Sequence, residues 1–70
     1  MIYIYKFDNT SKYYAFNQIQ QNNCFLQGLL LCANNLQKLI KLINERLSKQ
    51  NICFMQYNNK TKSYKKIILQ

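Results

Sequence analysis

The side chains able to do chemistry are few and one-sided. The 70-residue chain has no His, two acids (Asp8 and Glu45) and one Arg (Arg46), but nine Lys. General acid–base pairs, catalytic triads and carboxylate metal sites all need residue types that this composition lacks. Cys24, Cys32 and Cys53 stand far apart, and with no His they cannot complete a four-ligand zinc site. None of the three has an adjacent base, and Gly28, standing alone, makes no phosphate loop. The expectation is a protein that is not an enzyme and uses no cofactor or metal.

Binding chemistry is better represented. Tyr3, Tyr5, Tyr13, Tyr14, Tyr57 and Tyr64 all fall in stretches that read as strands, and on an open sheet face such rings with Lys beside them can stack bases and hold phosphates. The plainer role for each is a half-buried strand position whose hydroxyl reaches water. From Asn58 to Lys66 the chain gathers Lys60, Lys62, Lys65 and Lys66 around Tyr64, a basic hairpin suited to a nucleic-acid backbone. The net charge is +8, and it is uneven. Residues 1 to 37 carry +1, whereas residues 38 to 70 set eight cations against Glu45 alone, a net of +7. Such a field favours an anionic partner, RNA or DNA or an acidic protein surface, although preference for Lys is also what an AT-rich coding sequence imposes.

The elements that must position these residues follow from periodicity. Ile2 to Phe7 and Lys12 to Ile19, rich in β-branched and aromatic types and divided by the turn-forming Asp8-Asn9-Thr10-Ser11, predict a hairpin. Cys24 to Lys49 places Phe25, Leu29, Leu36, Ile40, Ile43 and Leu47 on one helical face. This predicts one long amphipathic helix of roughly 26 residues and about 39 Å, capped by Asn22 or Asn23, with Arg46 and Lys49 opposing the carbonyl end of its dipole. Ile52 to Tyr57 and Tyr64 to Leu69 predict a second hairpin around a polar loop. The expected fold is α+β, in the order β-β-α-β-β: an antiparallel sheet of two hairpins packed on that helix. Ile2, Ile4, Ile52, Phe54, Ile67 and Leu69 should point inward.

Strands of six or seven residues span about 20 to 24 Å, so so long a helix should overhang the sheet. Either it breaks near Asn34-Asn35, or another chain covers the overhang. Leu31 and Leu42, on the far side of such a helix, form a possible partner interface. A 70-residue domain has little core of its own, and burial against a partner is a common remedy. With no Pro and one Gly the chain predicts no linker and a single small domain. Three unpaired cysteines, no signal peptide and no apolar run long enough to span a bilayer predict an intracellular, reducing location, the cytoplasm or an organelle interior.

Two functional readings follow. The first is a small basic non-catalytic binding protein, a nucleic-acid-contacting accessory subunit of a nucleoprotein assembly, using Lys60, Lys62, Tyr64, Lys65 and Lys66 with Lys38, Lys41, Arg46 and Lys49 of the helix. The alternative is a protein–protein interaction module: a homodimer, a linker subunit of a larger complex, or an inhibitor bound to an acidic protein. Both rest on the helical stripe. Ile43→Asp should therefore unfold the chain, because it removes about 1.5 to 3 kcal/mol of apolar burial and desolvates an unpaired carboxylate. Lys41→Asp, two positions away, should leave the circular dichroism melt nearly unchanged. The reverse pattern would mean that the stripe is wrongly phased.

Overall fold

The computed structural model describes residues 1–6, 11–20, 28–47 and 50–69. Five strands and one helix follow in the order β1 (Ile2–Lys6), β2 (Tyr13–Phe16), β3 (Leu29–Ala33), α1 (Leu36–Arg46), β4 (Ile52–Asn58) and β5 (Ser63–Ile68). They make one sheet ordered β3-β2-β1-β4-β5, with α1 packed over β3 and β2. The α+β class and both hairpins are as expected. The sheet is mixed, however, and not purely antiparallel: β1 pairs β4 in parallel, in register from Ile2↔Ile52 to Tyr5↔Met55.

One unforeseen strand accounts for the difference. Leu29–Ala33 is not helix but β3, antiparallel to β2. A third strand reverses the chain once more, so after the helical crossover β4 enters in the same direction as β1. The residues that end the helix early are identifiable. Gly28 sits at φ +77°, a conformation that L residues avoid, and its carbonyl accepts from the Asn17 N–H at 2.9 Å. Asn35 is the N-cap: its backbone is extended and its side chain accepts from the Lys38 N–H at 2.7 Å. Between Gly28 and Asn35 there is too little chain for a stable helix, and pairing with β2 satisfies the backbone instead. The proposed caps Asn22 and Asn23, the residues Cys24 to Gln27 and the cation Lys49 lie outside the described residues, as does most of the first turn (Asp8 to Thr10).

The helix is thus 11 residues long, about 17 Å, and the overhang is inverted: the sheet outruns the helix. Leu39 and Ile43 are its fully buried contacts, with Leu36, Ile40, Leu42 and Leu47 packed beside them. They close on Ile2 and Ile4 of β1, Ala15 of β2, Ala33 of β3 and Ile52 of β4. Leu31 and Leu42 do not form a strip on the far side of a helix. Leu31 belongs to β3, and both pack half-buried against this core, because helical phasing ends at Asn34. A helix about 10 to 12 Å across covers only two or three strands spaced about 4.8 Å apart. Ile2, Ile4 and Ile52 are accordingly buried as expected, Phe54 and Ile67 half-buried, and Leu69 exposed.

The central strand β1 reads Ile-Tyr-Ile-Tyr because it is covered on both faces. Its isoleucines meet the helix, while Tyr5 joins Phe16 and Met55 in a second cluster on the opposite side, with Tyr3 and Tyr14 packed against it. No helix among the described residues is long and apolar enough to cross a membrane. Replacing Gly28 tests its role at the start of β3. Gly28→Ala should cost about 1 to 2 kcal/mol of stability, the penalty for an L residue in left-handed backbone, read as a lower urea midpoint, and would also push the Asn17 side chain aside. An unchanged midpoint would show that the turn does not need positive φ.

Candidate nucleic-acid interface

Strand alternation divides the predicted binding residues between two sides of the sheet. On the side away from the helix lie Tyr3 and Tyr5 of β1, Tyr14 and Phe16 of β2, Cys53, Met55 and Tyr57 of β4, and Tyr64, Lys66 and Ile68 of β5, as the pairings Tyr3↔Phe16, Tyr5↔Met55, Tyr57↔Tyr64 and Met55↔Lys66 require. Tyr13 faces the other way, its ring 6.1 Å from Phe54. Five of the six tyrosines therefore share the helix-free face, which sequence alternation implies strand by strand but cannot assemble across strands.

The rings are in contact. Tyr5 meets Phe16 at 5.5 Å and Tyr64 at 5.1 Å between centroids, and Tyr64 meets Tyr57 at 5.1 Å, all close to edge-to-face. That geometry suits the ring quadrupoles. The Lys66 ammonium lies 5.5 Å from the centre of the Tyr3 ring, within cation–π range. From Tyr5, at 1 % exposed, the row opens to Tyr64 at 39 % and Tyr57 at 40 %. The aromatic surface is thus closed at the middle of the sheet and open along the β4–β5 hairpin.

That hairpin projects. Its pairing continues to Asn58↔Ser63, whereas the described pairing of β1 with β4 ends at Met55, so among the described residues about 10 Å of ribbon extends past β1. The turn at its tip is held by Asn58, whose carbonyl accepts from the Lys62 N–H at 2.8 Å and whose side chain accepts from the Lys60 N–H at 2.9 Å. Thr61 and Ser63 hydroxyls share a further bond of 2.7 Å. Lys62 adopts φ +55°, a region that favours Gly or Asn. Lys60 and Lys62 stand at the tip and Lys66 on the aromatic side. Lys65 lies on the helix side, where it lines a shallow hollow with Gln56, Asn58, Asn59 and Lys60.

Lys38, Lys41 and Arg46 are exposed on α1, across the sheet from Tyr64 and Lys66. The structure therefore brings together Lys60, Lys62, Tyr64, Lys65 and Lys66 and leaves the helical cations as a separate group. Tyr3 and Tyr57, named in the sequence only among six candidate rings, are the ones that join Tyr64 and Lys66 on this face. A period-2 count along β4 and β5 would have put Tyr57 and Tyr64 on one side only once their register was known.

Of the described cysteines, Cys32 is exposed at the β3 edge and Cys53 is buried, and neither is in a disulfide. The Cys53 thiol donates to Met1 Sδ at 3.4 Å and lies 3.7 Å from the Ile2 carbonyl. Burial raises its pKa, with Lys66 and the N-terminal amine pulling the other way. Burial also raises the Tyr5 pKa, against the hydrogen bond that its hydroxyl accepts from the Gln20 N–H at 3.0 Å. Both groups stay neutral in the fold, so their contribution to stability is complete below the unfolded pKa values. It falls as rising pH lets the unfolded chain, and not the folded one, release the protons.

The melting temperature should accordingly fall as pH rises through about 9 to 10, the ordinary thiol and phenol range. Tyr5→Phe should flatten the upper part of that fall while costing about 1 kcal/mol at pH 7, because the Gln20 N–H loses this acceptor. A flat alkaline profile for the unaltered chain would count against the buried phenol. No protein-family model matches the sequence, and neither a curated protein nor a solved structure matches it.

Proposed function

We propose that the chain is a small, basic, non-catalytic binding protein that contacts nucleic acid through its β4–β5 hairpin, as an accessory subunit of a nucleoprotein assembly in a reducing compartment. The observation that carries this reading is the gathering of Lys60, Lys62, Lys65 and Lys66 on one projecting ribbon, with Tyr57 and Tyr64 partly exposed along it. Two carboxylates in the chain cannot neutralise ten cations, so the ribbon keeps a strong positive field. An extended polyanion answers that field along its length, releasing counterions as each phosphate is neutralised. Lys62 supports the same reading. An L residue is strained at its backbone angle, and Lys there supplies a charge that Gly or Asn would not.

A second reading has its own observation. Leu29 and Leu30 are 41 % and 37 % exposed on the edge strand β3, which carries no charged residue. Unguarded edges of this kind pair with other chains, which favours a protein-interaction module. A shift of Leu30→Lys from dimer to monomer in light scattering would select it.

The nucleic-acid reading is tested by fluorescence anisotropy with a generic RNA and a duplex DNA at about 50 and 200 mM salt. Binding that weakens steeply with salt is expected, and absence of binding to either probe at the lower salt overturns it. Lys62→Asn should leave the melting temperature equal or higher, since Asn tolerates left-handed backbone. It should also reduce the salt slope by about one, the value of a single phosphate contact.

A further inference from the structure

Resting on that reading, we infer that the ligand of this surface is a single strand, with unpaired bases laid on the helix-free face of β1, β4 and β5 and phosphates carried by Lys60, Lys62 and Lys66. The faces of duplex bases are covered by their neighbours in the stack, so a duplex offers only phosphates and groove edges. Without unstacking, a duplex gives an exposed tyrosine ring no base face to cover. The surface has two places for a base. One is the Tyr57–Tyr64 pair, 5.1 Å between centroids and about two-fifths exposed. The other is Tyr3, whose ring already takes the Lys66 ammonium at 5.5 Å.

The two places lie well apart. Tyr3 pairs with Cys53 and Tyr57 with Tyr64, so their levels are four residues apart along β4, about 13 Å. A single strand that reaches both lays several nucleotides on the face, and Lys66, in contact with the Tyr3 ring, meets the phosphates between them. Lys60 and Lys62 at the hairpin tip receive the chain as it leaves Tyr57. The helical cations Lys38, Lys41 and Arg46 lie across the sheet and take no part, although in the sequence they look equivalent to the others.

The test uses the full chain with a labelled oligothymidylate of about 15 nucleotides, long enough for an ordinary single-strand site, and a duplex of the same length. The chain has six Tyr and no Trp, so its own emission reports tyrosine stacking directly. The single strand should bind at least about tenfold tighter than the duplex at 200 mM salt and quench that emission. Tyr57→Leu should lose roughly 5- to 150-fold in single-strand affinity, the range for one base–aromatic stack, with an unchanged salt slope, and Tyr57→Phe should restore it. Lys66→Gln should reduce the slope by about one, whereas Lys41→Gln should leave affinity for the single strand unaltered.

Tyr57→Leu keeps an apolar contact to Tyr64, and a wild-type melting curve shows that it folds. If it does not fold, the comparison of Tyr57→Phe with the unaltered chain in quenching and strand preference decides the matter alone. Equal affinity for duplex and single strand, or wild-type binding by Tyr57→Leu, overturns the single-strand inference while leaving a salt-sensitive nucleic-acid binder. Loss of all binding to both probes at low salt overturns the wider reading as well.

Discussion

The parallel pairing of β1 with β4 is the constraint on which the rest of the structure depends. It is the only seam between the β1-β2-β3 meander and the β4-β5 hairpin within the described sheet. Parallel strands bury both faces, and this pair does so with two different kinds of side chain. On one side Ile2, Ile4 and Ile52 close against Leu39 and Ile43 of the helix. On the other, Tyr5 and Met55 close against Phe16. The central strand thus belongs to two cores at once. A sheet this narrow with one helix could not otherwise shield its second face.

The short helix sets the character of that second face and of the projecting hairpin. Because α1 covers β3 and β2, it leaves the β5 side of the sheet with little apolar cover, and the residues there change accordingly: Lys65 and Lys66 interrupt Tyr64, Ile67 and Ile68. Lysines on an edge strand discourage edge-to-edge pairing, while their stems lie along the apolar surface. The opposite edge, β3, has no such guard in its side chains. Its register shift against β2 between Ala15 and Phe16 bends the strand locally but puts no charge on the edge. Charge is therefore concentrated at one end of the sheet by the same packing that leaves the other end apolar.

The aromatic row gives the open face its stiffness. Edge-to-face contacts link Phe16, Tyr5, Tyr64 and Tyr57 in sequence across β2, β1, β5 and β4. A ring held on one side by its neighbour loses little side-chain freedom when a ligand covers its other side. Tyr5 anchors the row because its hydroxyl is fixed by the Gln20 N–H while its ring is buried. The exposed members are thus presented by a rigid base and not by a loop.

What the sequence determined by itself was local. The Ile-Tyr alternation of β1, the turn residues around Asn59 and Lys60, and the stripe of Leu36, Leu39, Ile40 and Ile43 each specify an element through its own period, and both hairpins form where those periods place them. The separation of charge was also legible, as composition alone. The run Leu29–Ala33 was not, because a short apolar segment satisfies the helical and the extended pattern equally well, and the extended state wins only once β2 offers it a ladder of hydrogen bonds. Gly28 and Asn35 marked that break, but a lone Gly and an Asn are tolerated inside helices. Tertiary structure alone decided the parallel β1–β4 seam, since strand order is a matter of which distant surfaces close together. By that route it decided which tyrosines and which lysines share a face. A period-2 pattern assigns sides within one strand, and only the register between strands turns those sides into a surface.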